Sequence, residues 1–404
     1  LAGIRAYHGR LLAQLDAAAP SPARDRLRVA LRRVPWLPAQ TFYEGLVALN
    51  LAYYLDDCDS LGRFDQTLGA LYEADLAAGR ITEAEGEDLV GGLWRNVDDN
   101  SGWNVALGGT TPAGEPAYNR LTLACLRAAR GRRRPNLALR IRADMPQAVW
   151  EAALDTVASG CGLPALYNEE AYLRNLGDTG LVPDVRDLRD YAFAGCTETM
   201  VHGRSNVGSL DAGISLIRIL TETLARDLAT APSFEALLDA YRRDVSAAVA
   251  RLAAGVSRQQ EIKARYHPQL LRTLFIDDCV ERGVEYNAGG ARYNWSVINI
   301  CGLSNVVDSL AAVREVVYER SEVSGGALWQ ALAANFSGHE ALRRRLTRCP
   351  RFGNDDPRAD ELAGALSRYV FAEFARHTPW RGGRFLPGCL MFVTYADAGK
   401  GVMA

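Results

Sequence analysis

Between Asn136 and Met200 the chain alternates short apolar runs with helix-length segments, and no other feature narrows its fold as far. Asn136-Leu-Ala-Leu-Arg-Ile-Arg142 has the two-residue alternation of a strand. Pro146 to Ser159 reads as a helix, Leu163 to Tyr167 as a short strand, and a further helix leads through Arg186-Asp-Leu-Arg-Asp190 into a strand containing Cys196. Parallel strands need a crossover of about a dozen residues or more. This spacing supplies one each time, which predicts parallel β units with helices outside, an α/β fold. The chain has 404 residues, 48% of them hydrophobic, enough for a sizeable core. No repeat of fixed period occurs, which argues against an α-solenoid.

The flanking segments are mostly helical. Residues 4–34 read as one helix ended by Pro35 and Pro38, and 41–55 as a second, apolar on most sides, that runs into Asp56-Asp57-Cys58-Asp59-Ser60. Helices follow at 67–78 and 82–95, the latter opened by a Thr82/Glu85 capping box. Residues 96–114 read as a Gly- and Asn-rich loop, and 116–130 as helix. After Cys196 come a polar loop, a helical stretch over 214–265 broken at Pro232-Ser233, and a strand at 296–301. The last third predicts a helix capped by Ser304 or Asn305, one opened by Ser337 or Gly338, one over 358–376, and a strand-like segment over 385–394.

A formal charge of −2 and a pI near 6.3 supply no basic field for nucleic acid or anionic lipid. Arg132-Arg133-Arg134, just before Pro135, reads as a solvated helix end. No apolar run is long enough to span a membrane, and Leu1 to Tyr7 do not form a signal peptide. The eight cysteines are scattered without a Cys-x-x-Cys pair. That argues against a metal site and suits a reducing cytoplasm, the expected localisation.

The chemistry-bearing stretch is Tyr191-Ala-Phe-Ala-Gly195-Cys196-Thr197-Glu198-Thr199-Met200. In an extended segment the Cys196 and Glu198 side chains share a face about 7 Å apart, and Gly195 permits close approach or a tight turn. Read alone, a single Cys in an apolar stretch describes an inert buried thiol.

Nine stretches in order resemble the glycyl radical enzymes of the pyruvate formate-lyase family. They are Leu61-Gly62-Arg63-Phe64-Asp65-Gln66; Gly108-Gly109 before Asn119; Pro135-Asn-Leu with Arg140-Ile-Arg; Leu163-Pro164 to Asn168; and Asp190-Tyr191 leading to Gly195-Cys196-Thr197-Glu198. They continue with Tyr286-Asn287 to Asn294, Asp308-Ser309-Leu310, Asn335-Phe336 with Gly338 and Glu340, and Phe352-Gly353-Asn354-Asp355-Asp356. The resemblance implies a ten-stranded α/β barrel of two five-stranded parallel half-barrels. It implies that Cys196 becomes the thiyl radical that takes a hydrogen atom from a small polar substrate, and that Glu198 is the base. It also points to Asp57, Cys58, Asp211 and His202 as substrate-binding residues, although Asp211 falls one residue late for the family's Asp and His202 also suits a loop hydrogen-bonding role.

Ala194-Gly195 precedes a lone Cys196, whereas pyruvate formate-lyase resembles a pattern with two adjacent cysteines. Dehydration or elimination is therefore expected over a formate C-acetyltransferase-like C–C cleavage; a non-catalytic scaffold homologue is the alternative of another class. The family's radical-bearing Gly motif does not occur in these residues. The resemblance thus implies a partial barrel domain over residues 1–404, incomplete at both ends. The glycyl radical would lie outside it, installed by a separate S-adenosylmethionine/4Fe-4S activating enzyme. A homodimer is expected, with no bound cofactor or metal in these residues.

Overall fold

The computed structural model describes residues 1–56, 58, 60–100, 102, 104–195 and 198–389. The chain divides into two compact units, Leu1–Ser205 with Leu270–Val280, and Asn206–Gln269 with Glu281–Ala404.

The first unit is built on a parallel sheet of β1 (Ser60–Arg63), β2 (Asn104–Gly108), β3 (Asn136–Ile141) and β4 (Ala165–Asn168), in that order. Asn104 pairs with both Ser60 and Asn136, so the first residues of three strands lie level at one edge. Helices Phe64–Ala77, Glu83–Asp99, Arg120–Ala128 and Gln147–Ala158 make the crossovers. Residues 96–114 read as loop in sequence, yet they contain β2, and every residue of that strand is buried.

The two faces of this sheet carry different residues because strand side chains alternate. Val105, Leu107, Leu137 and Leu139 point into a core with Phe64, Trp94, Leu121 and Val149 from the crossover helices. Each such fully buried aliphatic side chain contributes about 1.5–3 kcal/mol. The opposite face offers only Ala106 and Ala138 at mid-strand, and these pack with Tyr191, Ala192 and Phe193. The small side chains leave room for a hairpin of β5 (Tyr191–Ala194) and β6 (Glu198–Val201), paired antiparallel from Tyr191↔Val201 to Ala194↔Glu198. The strand expected to continue through Cys196 therefore reverses after Ala194.

In the second unit β9 (Tyr293–Cys301) is central. β10 (Arg384–Gly388) pairs with it in parallel with Phe385 opposite Ser296, and β8 (Ala212–Ser215) pairs in parallel with Ile214 opposite Ile300. β7 (Ser205–Asn206), at the boundary between the units in sequence, adjoins β9. Ile214, Ile298 and Ile300 pack into a core with helices Phe234–Tyr266, Leu303–Val313 and Pro357–Ala375. Each unit thus carries its own largely parallel sheet with helices against one face, the α/β architecture anticipated.

Several element boundaries differ from the sequence expectation. The segment 4–34 is two helices, Ala2–Ala17 and Pro22–Arg33, because Ser21 caps and Pro22 starts a new one. The helix after Asp211 starts only at Leu216, with Ser215 as its cap, since Ala212–Ser215 are drawn into the sheet. The N-cap of Leu303–Val313 is Gly302, left-handed at φ 81°, and neither Ser304 nor Asn305. A helix at Gly325–Ala333, capped by Ser324, was not anticipated. Residues beyond 389 of the strand-like C-terminal segment lie outside the described residues. Among the described residues no helix is long and apolar enough to cross a membrane.

Ala138 is the spacer on which the hairpin rests. Ala138→Leu is expected to lower stability by about 1–3 kcal/mol in chemical denaturation, because the added atoms meet Phe193 and its neighbours.

Candidate active site

Two buried guanidinium groups hold the base of the β5–β6 hairpin. Arg140, on the hairpin face of β3, is wholly buried. Its Nε and Nη2 donate to the Glu169 carboxylate at 2.9 and 2.6 Å. Nη1 donates to the Tyr191 carbonyl and Nη2 also to that of Arg189, both at 2.8 Å. The guanidinium lies 3.8 Å from the Tyr191 ring centroid, and the Tyr191 hydroxyl donates to Glu169 at 2.8 Å. Burial by itself raises the Glu169 pKa, but hydrogen bonds and charge from Arg140, with Thr110 and Tyr191, hold it below the usual carboxylate value.

Arg63, at the end of β1, donates to Asp190 at 2.9 Å and to the Gly108 carbonyl at 2.9 Å. Arg204 takes the other Asp190 oxygen at 3.0 Å. Asp65, two residues after Arg63, accepts from the Gly108 N–H at 2.9 Å and from the Thr122 hydroxyl at 2.6 Å. Burial raises the Asp65 pKa against these contacts. The Gly-Arg-x-Asp motif thus grips both the carbonyl and the N–H of Gly108, where β2 ends beside the hairpin base.

At the other end of the hairpin lies Gly195, with a left-handed φ of 51°. A Cβ there would stand 2.9 Å from a carboxylate oxygen of Glu198, so glycine is needed for the conformation and for the room. The Glu198 carboxylate therefore lies over the Gly195 backbone, and the residue is buried. Asn104 Nδ2 donates to the Gly195 carbonyl at 3.1 Å. The hairpin thus runs back along the sheet, from its base at the carboxyl ends of the strands to a tip at their amino edge.

The candidate residues distribute as follows. Cys196 and Asp57 lie outside the described residues. Glu198 is at the hairpin tip. Cys58, half-buried, precedes β1 by two residues, at the sheet edge that carries Asn104. Its neighbour Asp56 accepts from Arg272 Nε at 2.8 Å.

His202 belongs to the hairpin base, four residues or about 13 Å of extended chain from Glu198. Its N–H donates to the Asp190 carbonyl, and its ring occupies the space above Gly62, where a Cβ would come within 2.2 Å of Nδ1. Burial lowers its pKa and favours the neutral ring.

Asp211, in the second unit, directs one carboxylate oxygen to three donors: Ser296 Oγ at 2.7 Å, Gln260 Nε2 at 2.9 Å and Arg381 Nη2 at 3.0 Å. Ser296 has the strand parity of Ile298 and Ile300, which face the helices, so these contacts commit Asp211 to the helix-covered side of β9.

Asn104 was missed in sequence because its stretch reads as loop. The alternation of Val105 and Leu107 with Ala106 and Gly108 is the signal that marks a strand with one crowded and one open face. Among the described residues no cluster of metal-ligating side chains occurs.

A model described as pyruvate formate lyase-like matches residues 25–399. The chain belongs to that family. It is 26% identical to a trans-4-hydroxy-L-proline dehydratase of Clostridioides difficile over 81% of this chain and 46% of the relative. It is 27% identical to an isethionate sulfite-lyase of Nitratidesulfovibrio vulgaris over 98% of this chain and 54% of the relative. The crystal structure of a glycyl radical enzyme from Archaeoglobus fulgidus superposes with a TM-score of 0.87 at 27% identity, covering 98% of this chain and 56% of that one. The fold is therefore that of the glycyl radical enzymes. The chain spans about half the length of the curated relatives it matches.

Arg140 and Glu169 give a direct test of the hairpin anchor. Arg140→Met, which leaves Glu169 buried and unpaired, is expected to cost about 3–5 kcal/mol in chemical denaturation. Arg140→Met combined with Glu169→Leu is expected to recover much of that loss. Because the folded Glu169 pKa is depressed, its contribution is present above the ordinary carboxyl pKa of about 4.3 and lost as pH falls through the folded value. Unfolding curves below that pH are expected to show the wild type losing more stability than the double variant.

Proposed function

We propose that the protein carrying this chain is a glycyl radical lyase that eliminates water or another leaving group from a small polar substrate. The observation that carries this reading is the hairpin tip, where Glu198, two residues from Cys196, folds its buried carboxylate over Gly195. The matched relatives named as a dehydratase and a sulfite-lyase support the reaction class.

A glycyl radical, installed by an S-adenosylmethionine/4Fe-4S activating enzyme, would supply the unpaired electron. Cys196 Sγ, as a thiyl, takes the hydrogen atom from a hydroxyl-bearing substrate carbon. Glu198 accepts the proton of that hydroxyl, which raises electron density on the radical carbon and drives the leaving group off its neighbour. With a hydroxyl leaving group the proton departs with it as water. The product radical then recovers a hydrogen atom from the Cys196 thiol.

Burial serves this chemistry by excluding water from a reactive centre. Cys58, two residues before the strand end that pairs with Asn104, and Asp57 before it are the substrate contacts that the motif order favours. The contacts of Asp211 and His202 suit scaffold roles better. A homodimer in the cytoplasm completes the proposal.

The test uses the full-length protein, activated anaerobically and read by electron paramagnetic resonance, with a panel of small diols, amino alcohols and hydroxy acids. Cys196→Ala is expected to abolish turnover while the glycyl radical still forms. Glu198→Gln is expected to lower kcat by about 10²–10⁴. A strong radical signal with no product from any of the panel would count against the lyase reading.

A further inference from the structure

Helices Leu216–Asp227, Leu303–Val313, Gly325–Ala333 and Glu340–Leu346 of the second unit enclose a cavity of about 320 Å³. That volume is at the lower end of the range of small-molecule sites. Leu220 and Leu224 line it from the first of these helices, Trp329 and Leu332 from the third. On Leu303–Val313 the lining residues include Ser309 and Ala312, three apart and so on one helix face. Their small side chains leave the space that the larger residues surround.

Phe336 follows the third helix and completes this wall. Asn335 and Phe336 are both left-handed, with φ of 47° and 58°, a conformation that bulky side chains avoid. The turn nevertheless holds Phe336 in the lining, with 5% of the residue exposed. An apolar cavity offers water few partners and is favourably filled by an apolar body of matching size.

The cavity has a charged edge as well. Arg343 and Arg351 line it and are exposed to solvent. Arg345, on the same helix as Arg343, is spent on Glu315 and Glu322. Arg343 and Arg351 make no such pair among the described residues. Asp308 is the only carboxylate of the lining, and it already accepts from the Phe352 N–H at 2.9 Å. Two unpaired guanidinium groups beside one engaged carboxylate favour a negative group at the edge of an apolar interior.

We propose that this cavity binds an amphiphilic monoanion, an alkyl or aryl body carrying one carboxylate. The body lies against Leu220, Leu224, Trp329 and Phe336, and the carboxylate meets the forked donors of Arg343 and Arg351. An ammonium on the same body suits the interior but is repelled at the edge. None of the residues given a part in the lyase reading lines the cavity, and the proposal does not rest on that reading.

The test is calorimetric titration of the full-length, unactivated protein with octanoate, 4-phenylbutyrate, octan-1-ol and octylammonium. At least one acid is expected to bind at one equivalent with a Kd of about 10–500 µM, the tighter one showing whether the interior takes an alkyl or an aryl body. Octylammonium is expected to bind at least about tenfold more weakly. Arg343→Gln combined with Arg351→Gln changes only exposed side chains. It is expected to weaken acid binding by about 5–20-fold and to leave octan-1-ol binding unchanged. Binding is also expected to alter tryptophan emission, a response that Trp329→Phe removes.

No saturable binding of either acid below about 5 mM would overturn the proposal, including the case in which another segment or a second copy already fills the cavity. Octylammonium binding as tightly as the acids would overturn it too. So would acid affinity unchanged in the arginine double variant, or an emission response retained in Trp329→Phe.

Discussion

The buried guanidinium of Arg140 is the contact on which the first unit depends. Charge buried without partners costs several kcal/mol, and here the cost is offset only because every edge of the guanidinium is used. Glu169 takes two donors, the carbonyls of Arg189 and Tyr191 take others, and the Tyr191 ring covers its face. Lysine could not replace it, having neither the planar fork nor a face to stack. Through these contacts one residue of β3 ties the end of β4 to the point where the hairpin begins. Arg63 repeats the device from β1, joining Asp190 to Gly108.

The sheet makes room for what these anchors hold. Large aliphatic residues on one face of β2 and β3 face the helices, and Ala106 and Ala138 on the other face meet the hairpin. The same strands supply polar groups at both ends of that open face, arginine at the carboxyl end of β3 and Asn104 at the amino end of β2. A hairpin lying along this groove has its base fixed by charge and its tip by a neutral amide. The tip is where Glu198 folds over Gly195 and Asn104 donates to the Gly195 carbonyl.

Most of the α/β order was legible, and the failures share a cause. β3 was visible because Leu137, Leu139 and Ile141 alternate with smaller or polar residues. β2 was hidden because Asn and Gly surround it and its open face carries only Ala106 and Gly108. The reversal after Ala194 was hidden because Gly195 serves a strand as well as a turn until φ is known. The motif residues were recognised, but not what each one grips. His202 sits in a polar loop next to the Cys196 stretch, yet its ring is spent on the space left by Gly62, 140 positions away in the chain. The resemblance points to Asp211 as a substrate contact, yet three donors from distant segments claim one of its oxygens.

Sequence alone was enough for the fold class, the family resemblance and the Cys196/Glu198 candidates, because those rest on periodicity and on motifs that follow one another along the chain. Only the folded chain could tell which side of a strand each polar residue faces and which carbonyls each arginine meets, since those contacts join residues dozens of positions apart. The stretch around Glu198 shows the division. Its residue types announce a chemistry, but the geometry that brings its carboxylate over Gly195, and Asn104 to the carbonyl of that glycine, is decided by a hairpin laid across a sheet.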